Sequence, residues 1–392
     1  MKKVEQVIDA LEQDAEAVAT VQRIAAQVTE RFRDELGISG GRLWERDGEE
    51  YVLVATFPDA RDVRGMRVAM TYGPVATLLR HRAIYVPAND GLIDPELEAR
   101  LGVSHFAAIV VGDQRQYLLS FDVDEEHDPA AILYSLGILR HGINQKLRRQ
   151  QVADLMDQAK QIQLSILPRT KPAFGDFELA GRSKPVDLVG GDFYDFIPIS
   201  DKILGVAIAD SSGHGLPAAL QVRDVHMGLR MGLSRDYKIV RTIERLNAII
   251  HESTLTSRFV SLFYGELEQN GAFTYTNAGH PPPFHCSAVG GVAQLDRGGP
   301  VLGPLSEASY ERGFVKLEPG DRLVLFTDGI VEMRDASGVE YGRDRLQQLI
   351  CSLPDGSAAE LVEAIFADVE RFAGGERADD DRTVVAVRRP AT

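Results

Sequence analysis

The chain has little cysteine: two residues, Cys286 and Cys351, in 392. Two thiols build no disulfide framework, and their spacing suits no metal site. Both are expected as core residues of a reduced, cytoplasmic protein. Positive charge is in deficit, with 43 Lys and Arg against 58 Asp and Glu. The formal net charge is -15, and no basic run offers a phosphate-tracking surface, so a nucleic-acid partner is not expected. The same acidity speaks against an anionic membrane surface. No apolar run approaches a membrane span, and Met1-Lys-Lys-Val-Glu-Gln lacks the apolar core of a signal peptide. There is no Gly-x-Ser-x-Gly elbow and no P-loop, so serine acyl transfer and a nucleotide-phosphate cradle drop out. No internal repeat or low-complexity segment is visible.

What remains is material for two cores: 392 residues, 44% of them hydrophobic. Residues 1 to about 35 place Val4, Val7, Ile8, Leu11, then Val18, Val21, Ile24, Ala25, Val28 and Phe32 at helical spacing. Strands follow at Gly41-Arg-Leu-Trp-Glu and, past an Asp47-Gly48 turn, at Glu50-Tyr-Val-Leu-Val-Ala-Thr. Gly73-Pro-Val-Ala-Thr-Leu-Leu is a helix with proline just inside its start. Ala83-Ile-Tyr-Val-Pro is a strand and Pro95-Glu-Leu-Glu-Ala-Arg-Leu a helix. His105-Phe-Ala-Ala-Ile-Val-Val and Gln116-Tyr-Leu-Leu-Ser-Phe-Asp form a hairpin. This order describes an α+β sheet domain with helices on one face. His81 and His105 are lone histidines beside apolar runs, packed or solvated rather than ligands.

From Ala130 to about Leu167 only Gly137 and Gly142 interrupt a helical pattern, and Pro168 and Pro172 stop it. Leu136, Leu139, Ile143 and Leu147 form one apolar stripe. Leu155, Ala159, Ile162 and Ile166 form another, displaced near Arg148 to Gln151 as by a stutter. A long helix between two domains, paired as a parallel dimeric coiled coil, is expected. The plainer alternative is a helix packed on its own domain. After it come many short strands, two consecutive helical tracts over 216–233 and 239–255, and a last helix from Ala358. That composition suits a double sheet with helices outside.

Four carboxylate stretches stand out in this second half. Val189-Gly-Gly-Asp-Phe-Tyr-Asp195 reads as a turn entering a strand, its two glycines permitting close backbone approach. Leu204-Gly-Val-Ala-Ile-Ala-Asp210 is an apolar run ending in one carboxylate, followed by Ser211-Ser-Gly-His-Gly215. Arg322-Leu-Val-Leu-Phe-Thr-Asp328-Gly repeats that construction. Asp379-Asp-Asp-Arg-Thr383 leads into Val384-Val-Ala-Val. Singly, each Asp is a strand-end cap or a solvated turn residue. Together they suit an oxygen-ligand site for a hard divalent cation, Mg²⁺ or Mn²⁺. Two such ions about 4 Å apart, sharing a bridging Asp, would activate a water and leave no need for a protein nucleophile.

Two resemblances follow from these stretches. Ile84-Tyr-Val-Pro-Ala-Asn-Asp and Val103-Ser-His-Phe-Ala-Ala-Ile-Val-Val resemble a GAF domain, with a PAS domain as the alternative. Val189-Gly-Gly-Asp-Phe-Tyr-Asp, Ala209-Asp-Ser-Ser-Gly-His-Gly, Thr276-Asn-Ala-Gly-His-Pro-Pro, Pro319-Gly-Asp-Arg-Leu-Val-Leu-Phe-Thr-Asp-Gly and Asp380-Asp-Arg-Thr resemble the metal-dependent (PPM, 2C-like) protein phosphatases. They match the SpoIIE/RsbU branch best. That resemblance implies a serine/threonine phosphoprotein phosphatase with two Mn²⁺ or Mg²⁺ ions. Asp210 would bridge the ions, with the Ser211 carbonyl as a backbone ligand. Asp192 would bind the second ion, and Asp328 and Asp380 the first. Asp210 and Asp192 would be the catalytic carboxylates, with Asp195 and Asp381 acting through water. The branch often has Val where Ser211 stands, and a carbonyl ligand does not depend on the side chain. The phosphate-binding arginine of eukaryotic relatives has no counterpart before Gly190. His214 and His280 sit in glycine turns and are expected to be structural. Asn277 and Gly279 are expected to shape the turn beside the site. Leu216 to Leu255 would be the switch that lets the second ion bind.

The fold expected is thus α+β, in three parts. Residues 1–129 form a GAF-like or PAS-like sensory domain taking an unknown small-molecule or protein input. Residues 130–168 form a helical, dimerising linker. Residues 169–392 form an α/β/β/α-sandwich phosphatase. The branch implies a phosphorylated anti-anti-sigma (STAS-domain) substrate in partner-switching control of transcription. Two other functions use the same residues: an inactive phosphoprotein-binding scaffold, or a two-metal hydrolase of small phosphate esters.

Overall fold

A computed structural model describes residues 17–58, 61–88, 90–102, 105–168, 170, 172–213, 215–233, 238–253, 259–353 and 355–391. The expectations placed on Val4, Val7, Ile8, Leu11, Val103, Ser104 and His214 lie outside the described residues. The chain divides into two compact units, Met1–Leu155 and Met156–Thr392.

The first unit is built on one antiparallel sheet. Its strands are β1 (Ile38–Asp47), β2 (Glu50–Phe57), β3 (Arg67–Ala69), β4 (Ala83–Val86), β5 (Phe106–Val111) and β6 (Tyr117–Val123), in the order β3-β2-β1-β6-β5-β4. The β1–β2 hairpin turns at Asp47 and Gly48, where glycine takes φ +64°. Helices clad both faces rather than the single face expected. α1 (Ala17–Arg31) and the start of α4 (Pro129–Leu164) cover one side. There Val21, Ile24 and Val28 pack with Leu43, Ile109 and Leu119. α2 (Gly73–His81) and α3 (Pro95–Leu101) cover the other, with Leu78 and Leu79 on Trp44, Leu53 and Val110. This explains the uninterrupted run Phe-Ala-Ala-Ile-Val-Val of β5. Alternate residues point to opposite faces, and both faces are buried, so no polar position remains.

Leu136, Leu139, Ile143 and Leu147 of α4 are buried in the first of those cores. The first apolar stripe therefore serves its own sheet. Further along the same helix Val152, Leu155 and Ile162 are exposed.

The second unit is a sandwich of two sheets. One runs β14-β11-β10-β9-β8, from β8 (Asp192–Ser200), β9 (Ile203–Ser211), β10 (Val260–Glu268), β11 (Ala272–Ala278) and β14 (Gly298–Gly299), with β15 (Gly313–Lys316) also on β11. The other runs β13-β12-β16-β17-β7, from β7 (Glu178–Lys184), β12 (Phe284–Cys286), β13 (Val292–Gln294), β16 (Arg322–Phe326) and β17 (Arg382–Arg388). Their inner faces share one core of Phe177, Tyr194, Ile208, Phe263, Leu325 and Val385. Outside the first sheet lie α5 (Leu216–Leu233) and α6 (Ile239–Glu252), which bury Val222, Val225, Ile243 and Leu246 against it. Outside the second lie α8 (Arg343–Ser352) and α9 (Ala358–Ala373), contributing Leu346, Ile350, Ile365 and Phe366. A short α7 (Asp328–Val331) follows β16. The unit is thus an α/β/β/α sandwich. The helix α8 was not anticipated: Arg343-Asp-Arg-Leu-Gln-Gln-Leu-Ile holds only three apolar residues in its first eight, a thin stripe for pattern reading.

Candidate active site

Strand pairing brings the carboxylates together. A tight β8–β9 hairpin makes Asp192 and Asp210 direct cross-strand partners. Asp328 follows the end of β16 and Asp380 precedes β17. Those two strands are also antiparallel neighbours, and the Thr327 N–H donates to the Thr383 carbonyl at 3.1 Å. Two hydroxyls from this second sheet cross to the first. Thr327 Oγ1 and Thr383 Oγ1 donate to Asp192 Oδ2 at 2.8 and 2.6 Å. Both threonines sat inside motifs already noticed, Phe-Thr-Asp-Gly and Asp-Asp-Arg-Thr. Neither was singled out, because a hydroxyl aimed across two sheets leaves no local signal.

The glycines of Val189-Gly-Gly-Asp permit close packing here. A Cβ on Gly190 would stand 2.5 Å from Asp381 Oδ2, and one on Gly191 2.9 Å from the Ser211 carbonyl oxygen. Asp381 is fully engaged with backbone: its oxygens accept from Val186 N–H at 2.7 Å and Gly191 N–H at 2.6 Å. It fixes the turn. Asp195 is buried elsewhere, on the α5 side, where Arg230 Nη2 donates to its Oδ2 at 2.7 Å and Nε at 3.0 Å. The arrangement gives it a packing role against α5.

Electrostatics mark the rest as a costly site. Burial, then the charges of Asp328, Asp380, Asp381 and Glu332, pushes the Asp210 carboxyl up to about 8. Burial and the Asp210 charge hold Asp192 well above the usual carboxylate range. Burial and Asp380 raise Asp328. Glu332, at the end of α7, is raised by burial and by Asp328, a neighbour that no motif indicated. Asp192 Oδ1 and Asp328 Oδ1 are buried without a hydrogen-bond partner among the described residues. Carboxylates in such surroundings need a counter-charge, and orphaned acceptor oxygens need a donor or a cation. No three Asp, Glu, His or Cys side chains among the described residues converge closely enough to hold an ion by themselves. A hard divalent cation does not require that: it binds one or two carboxylates, a carbonyl and several waters. The donor set fits such an ion.

Ser211 is placed by its backbone and by its side chain. Its N–H donates to the Gly191 carbonyl at 3.1 Å, and its hydroxyl donates to Gln221 Oε1 of α5 at 2.8 Å, both residues buried. The side chain thus ties the site to α5, a role the sequence reading did not give it. Asn277 closes the next turn. Its Oδ1 accepts from His280 N–H at 2.7 Å and its Nδ2 donates to the His280 carbonyl at 3.0 Å, while Gly279 takes φ +68°. Burial lowers His280 to about 3, so its ring stays neutral; Nδ1 lies 2.8 Å from Ser261 Oγ. That is a structural histidine.

A sandwich of this topology, with acidic strand ends meeting across its two sheets, defines a PP2C-like phosphatase fold. The SiaA-PP2C domain of Pseudomonas aeruginosa superposes with a TM-score of 0.55 at 21% identity, covering 62% of this chain and 98% of that one. Residues 200–390 match the family model of stage II sporulation protein E (SpoIIE). Residues 200–390 are therefore similar to the SpoIIE family, on a fold shared with PP2C phosphatases. The chain is similar to phosphoserine phosphatase RsbU of Bacillus subtilis, 29% identical over 243 residues, 62% of this chain and 72% of RsbU. It is similar to protein IcfG of Synechocystis, 26% identical over 316 residues, and to phosphoserine phosphatase RsbP of B. subtilis, 25% identical over 205 residues. These alignments cover 72% and 51% of this chain, and 49% of each relative, so the chain spans about half of either one's length. Among the described residues no helix is long and apolar enough to cross a membrane.

Proposed function

We propose that the second unit hydrolyses phosphoserine or phosphothreonine in a protein substrate, using two Mn²⁺ or Mg²⁺ ions. The observation that carries this reading is the pair of orphaned buried oxygens, Asp192 Oδ1 and Asp328 Oδ1, beside the protonation-prone Asp210. In this reading Asp210 would be the ligand common to both ions, with the Ser211 carbonyl as a backbone ligand. Asp192 would hold the second ion, and Asp328 and Asp380 the first. Bound ions of this kind polarise a phosphoryl group and acidify an attacking water. Thr327 and Thr383 orient the Asp192 carboxylate, leaving Oδ1 free. The Gly190–Gly191 turn, fixed by Asp381, presents Asp192 at the edge of β8. RsbU and RsbP, both named phosphoserine phosphatases, support a phosphoprotein substrate. The resemblance of this chain's motifs to the SpoIIE/RsbU branch makes the expected substrate a phosphorylated STAS-domain protein of a partner-switching system. The first unit serves as a GAF-like sensor in this reading, with α4 as a dimerising linker.

The test is hydrolysis of a phosphoserine peptide and of a generic phosphate ester, with chelator and with added Mn²⁺. Activity should vanish in chelator and return with Mn²⁺, with the peptide preferred. Asp210→Asn should cost at least about 10³-fold, roughly 4 kcal/mol of transition-state stabilisation. Undiminished turnover by Asp210→Asn would sink the two-metal assignment. Preference for the small ester would move the substrate from phosphoproteins to small phosphate esters.

A further inference from the structure

The two cysteines of the chain, 65 positions apart, meet: Cys286 Sγ lies 3.6 Å from Cys351 Sγ. Cys286 is on β12 and Cys351 is the penultimate residue of α8. Their proximity has its own support. Arg322 of β16 is the cross-strand partner of Cys286, and its Nη1 donates to the carbonyls of Ile350 and Leu353, on either side of Cys351, at 3.1 and 3.0 Å. The strand that carries one thiol is thus clamped to the helix end that carries the other. The two residues differ in access: Cys351 is exposed and Cys286 buried.

We propose that Cys286 and Cys351 are a reversible oxidation site that closes to an intramolecular disulfide on exposure to a hydroperoxide. The sulfurs are already in van der Waals contact. Bond formation shortens that separation by about 1.5 Å, within reach of side-chain rotation. Burial, and then the thiol hydrogen bond with Cys351, push the Cys286 thiol up to about 12, so the exposed Cys351 meets the oxidant first. Its thiolate attacks the peroxide oxygen, giving Cys351 sulfenic acid and releasing the alcohol, or water when the oxidant is hydrogen peroxide. The Cys286 sulfur then attacks the sulfenic sulfur. The S–S bond forms, the S–O bond breaks, and the hydroxide leaves as water with the Cys286 proton. The two sulfurs together lose two electrons and the peroxide gains them. A dithiol reverses the step by exchange. The bond would enclose the segment from β13 to α8, which contains Asp328, and so restrain the second sheet beside the candidate active site.

The full chain is treated with hydrogen peroxide, quenched, denatured and alkylated, then weighed and digested. The expected result is loss of both alkylatable thiols, a mass about 2 Da below that of the reduced, unalkylated chain, and a linked peptide pair spanning Cys286 and Cys351, all reversed by dithiothreitol. Closing this loop should also raise the melting temperature, by about 5–10 °C. In Cys351→Ser, a change at an exposed position, Cys286 should stay alkylatable at the same dose. The proposal is overturned if Cys351 passes to sulfinic or sulfonic acid while Cys286 remains free. Disulfide-linked dimers would overturn it equally, as would loss of Cys286 in Cys351→Ser at the parental rate.

Discussion

The side-chain amide of Gln163 holds both polar backbone groups of Gly190. Its Nε2 donates to the Gly190 carbonyl, and the Gly190 N–H donates to its Oε1 at 3.0 Å. Gln163 stands in the last turn of α4, and Gly190 lies two residues before Asp192. One amide therefore turns the position of a helix end into the position of the turn that presents a candidate metal ligand. Gln163→Ala should weaken Mn²⁺ binding by about 10–100-fold, the usual effect of removing a group that supports a ligand from behind. Gln163→Glu keeps the acceptor and loses the donor, and should fall between the two. Calorimetric Mn²⁺ titration of the three proteins checks this; equal affinities would reduce Gln163 to a packing residue.

Thr383 and Thr327 make a second prediction. Each hydroxyl bonds the same oxygen of Asp192, so loss of one leaves the other in place. Thr383→Val should reduce Mn²⁺ affinity about tenfold, and the Thr327→Val, Thr383→Val pair by more than the product of the singles. Strict additivity in the double-mutant cycle would mean that the two hydroxyls do not share Asp192.

Stability should depend on pH with a definite sign. The Asp210 carboxyl is raised from 3.8 in an ordinary setting to about 8, and Asp192 moves the same way. The folded, metal-free protein thus holds protons that the unfolded chain has released between about pH 4 and pH 8. This contribution is fully present below about pH 4 and is lost as pH rises toward 8. The slope is at most about 1.4 kcal/mol per pH unit for each such proton. A cation displaces those protons, so Mn²⁺ affinity should rise over the same window. Melting temperatures in chelator should fall from pH 5 to pH 8, and saturating Mn²⁺ should flatten or reverse that fall. A melting temperature in chelator that rises across the window would contradict the protonated apo site.

The parts that were legible in sequence are those with a local rule. The apolar run ending in Asp210 and the turn entering a strand at Asp192 follow from local pattern, whereas their pairing as β8 and β9, which sets Asp192 opposite Asp210, came only with the structure. The run of β5 and the buried half of α4 follow from period two and period 3.6. What escaped depends on distant groups. Asp195 and Asp381 look alike in sequence, both acidic beside an acidic motif, yet one pairs with Arg230 and the other caps backbone at Val186 and Gly191. The meeting of Cys286 with Cys351 is likewise a product of sheet order, since α8 must return across β12 and β16. The single clad face expected for the first sheet failed for another reason: α2 and α3 are short, and a short helix does not announce which side it covers.

The last prediction concerns α4. Its first stripe is spent on its own sheet, while Val152, Leu155 and Ile162 stay 55, 64 and 54% exposed at spacings of three and seven. Such a seam suits a second copy of the same helix. Leu155→Asp with Ile162→Asp should therefore shift the full chain from dimer to monomer in light scattering at micromolar concentration. A parent chain that is already monomeric there would remove the dimer. If the seam fixes one side of the helix and Gln163 fixes its end on Gly190, the register between them matters. One residue inserted between Leu155 and Met156 rotates everything after it by about 100° relative to what precedes it. Seam and amide cannot then both keep their places, and the strain falls on the Gly190 turn. Coupling of this kind is typically worth about 1–3 kcal/mol, so basal activity should change by roughly five- to a hundredfold, with little change in melting temperature. Deleting residues 1–128 should alter activity while leaving the Mn²⁺ requirement intact. Should both variants match the parent in turnover and in Mn²⁺ affinity, α4 is a passive tether, and regulation must reach the carboxylates by another path, through α5 and its Gln221–Ser211 bond.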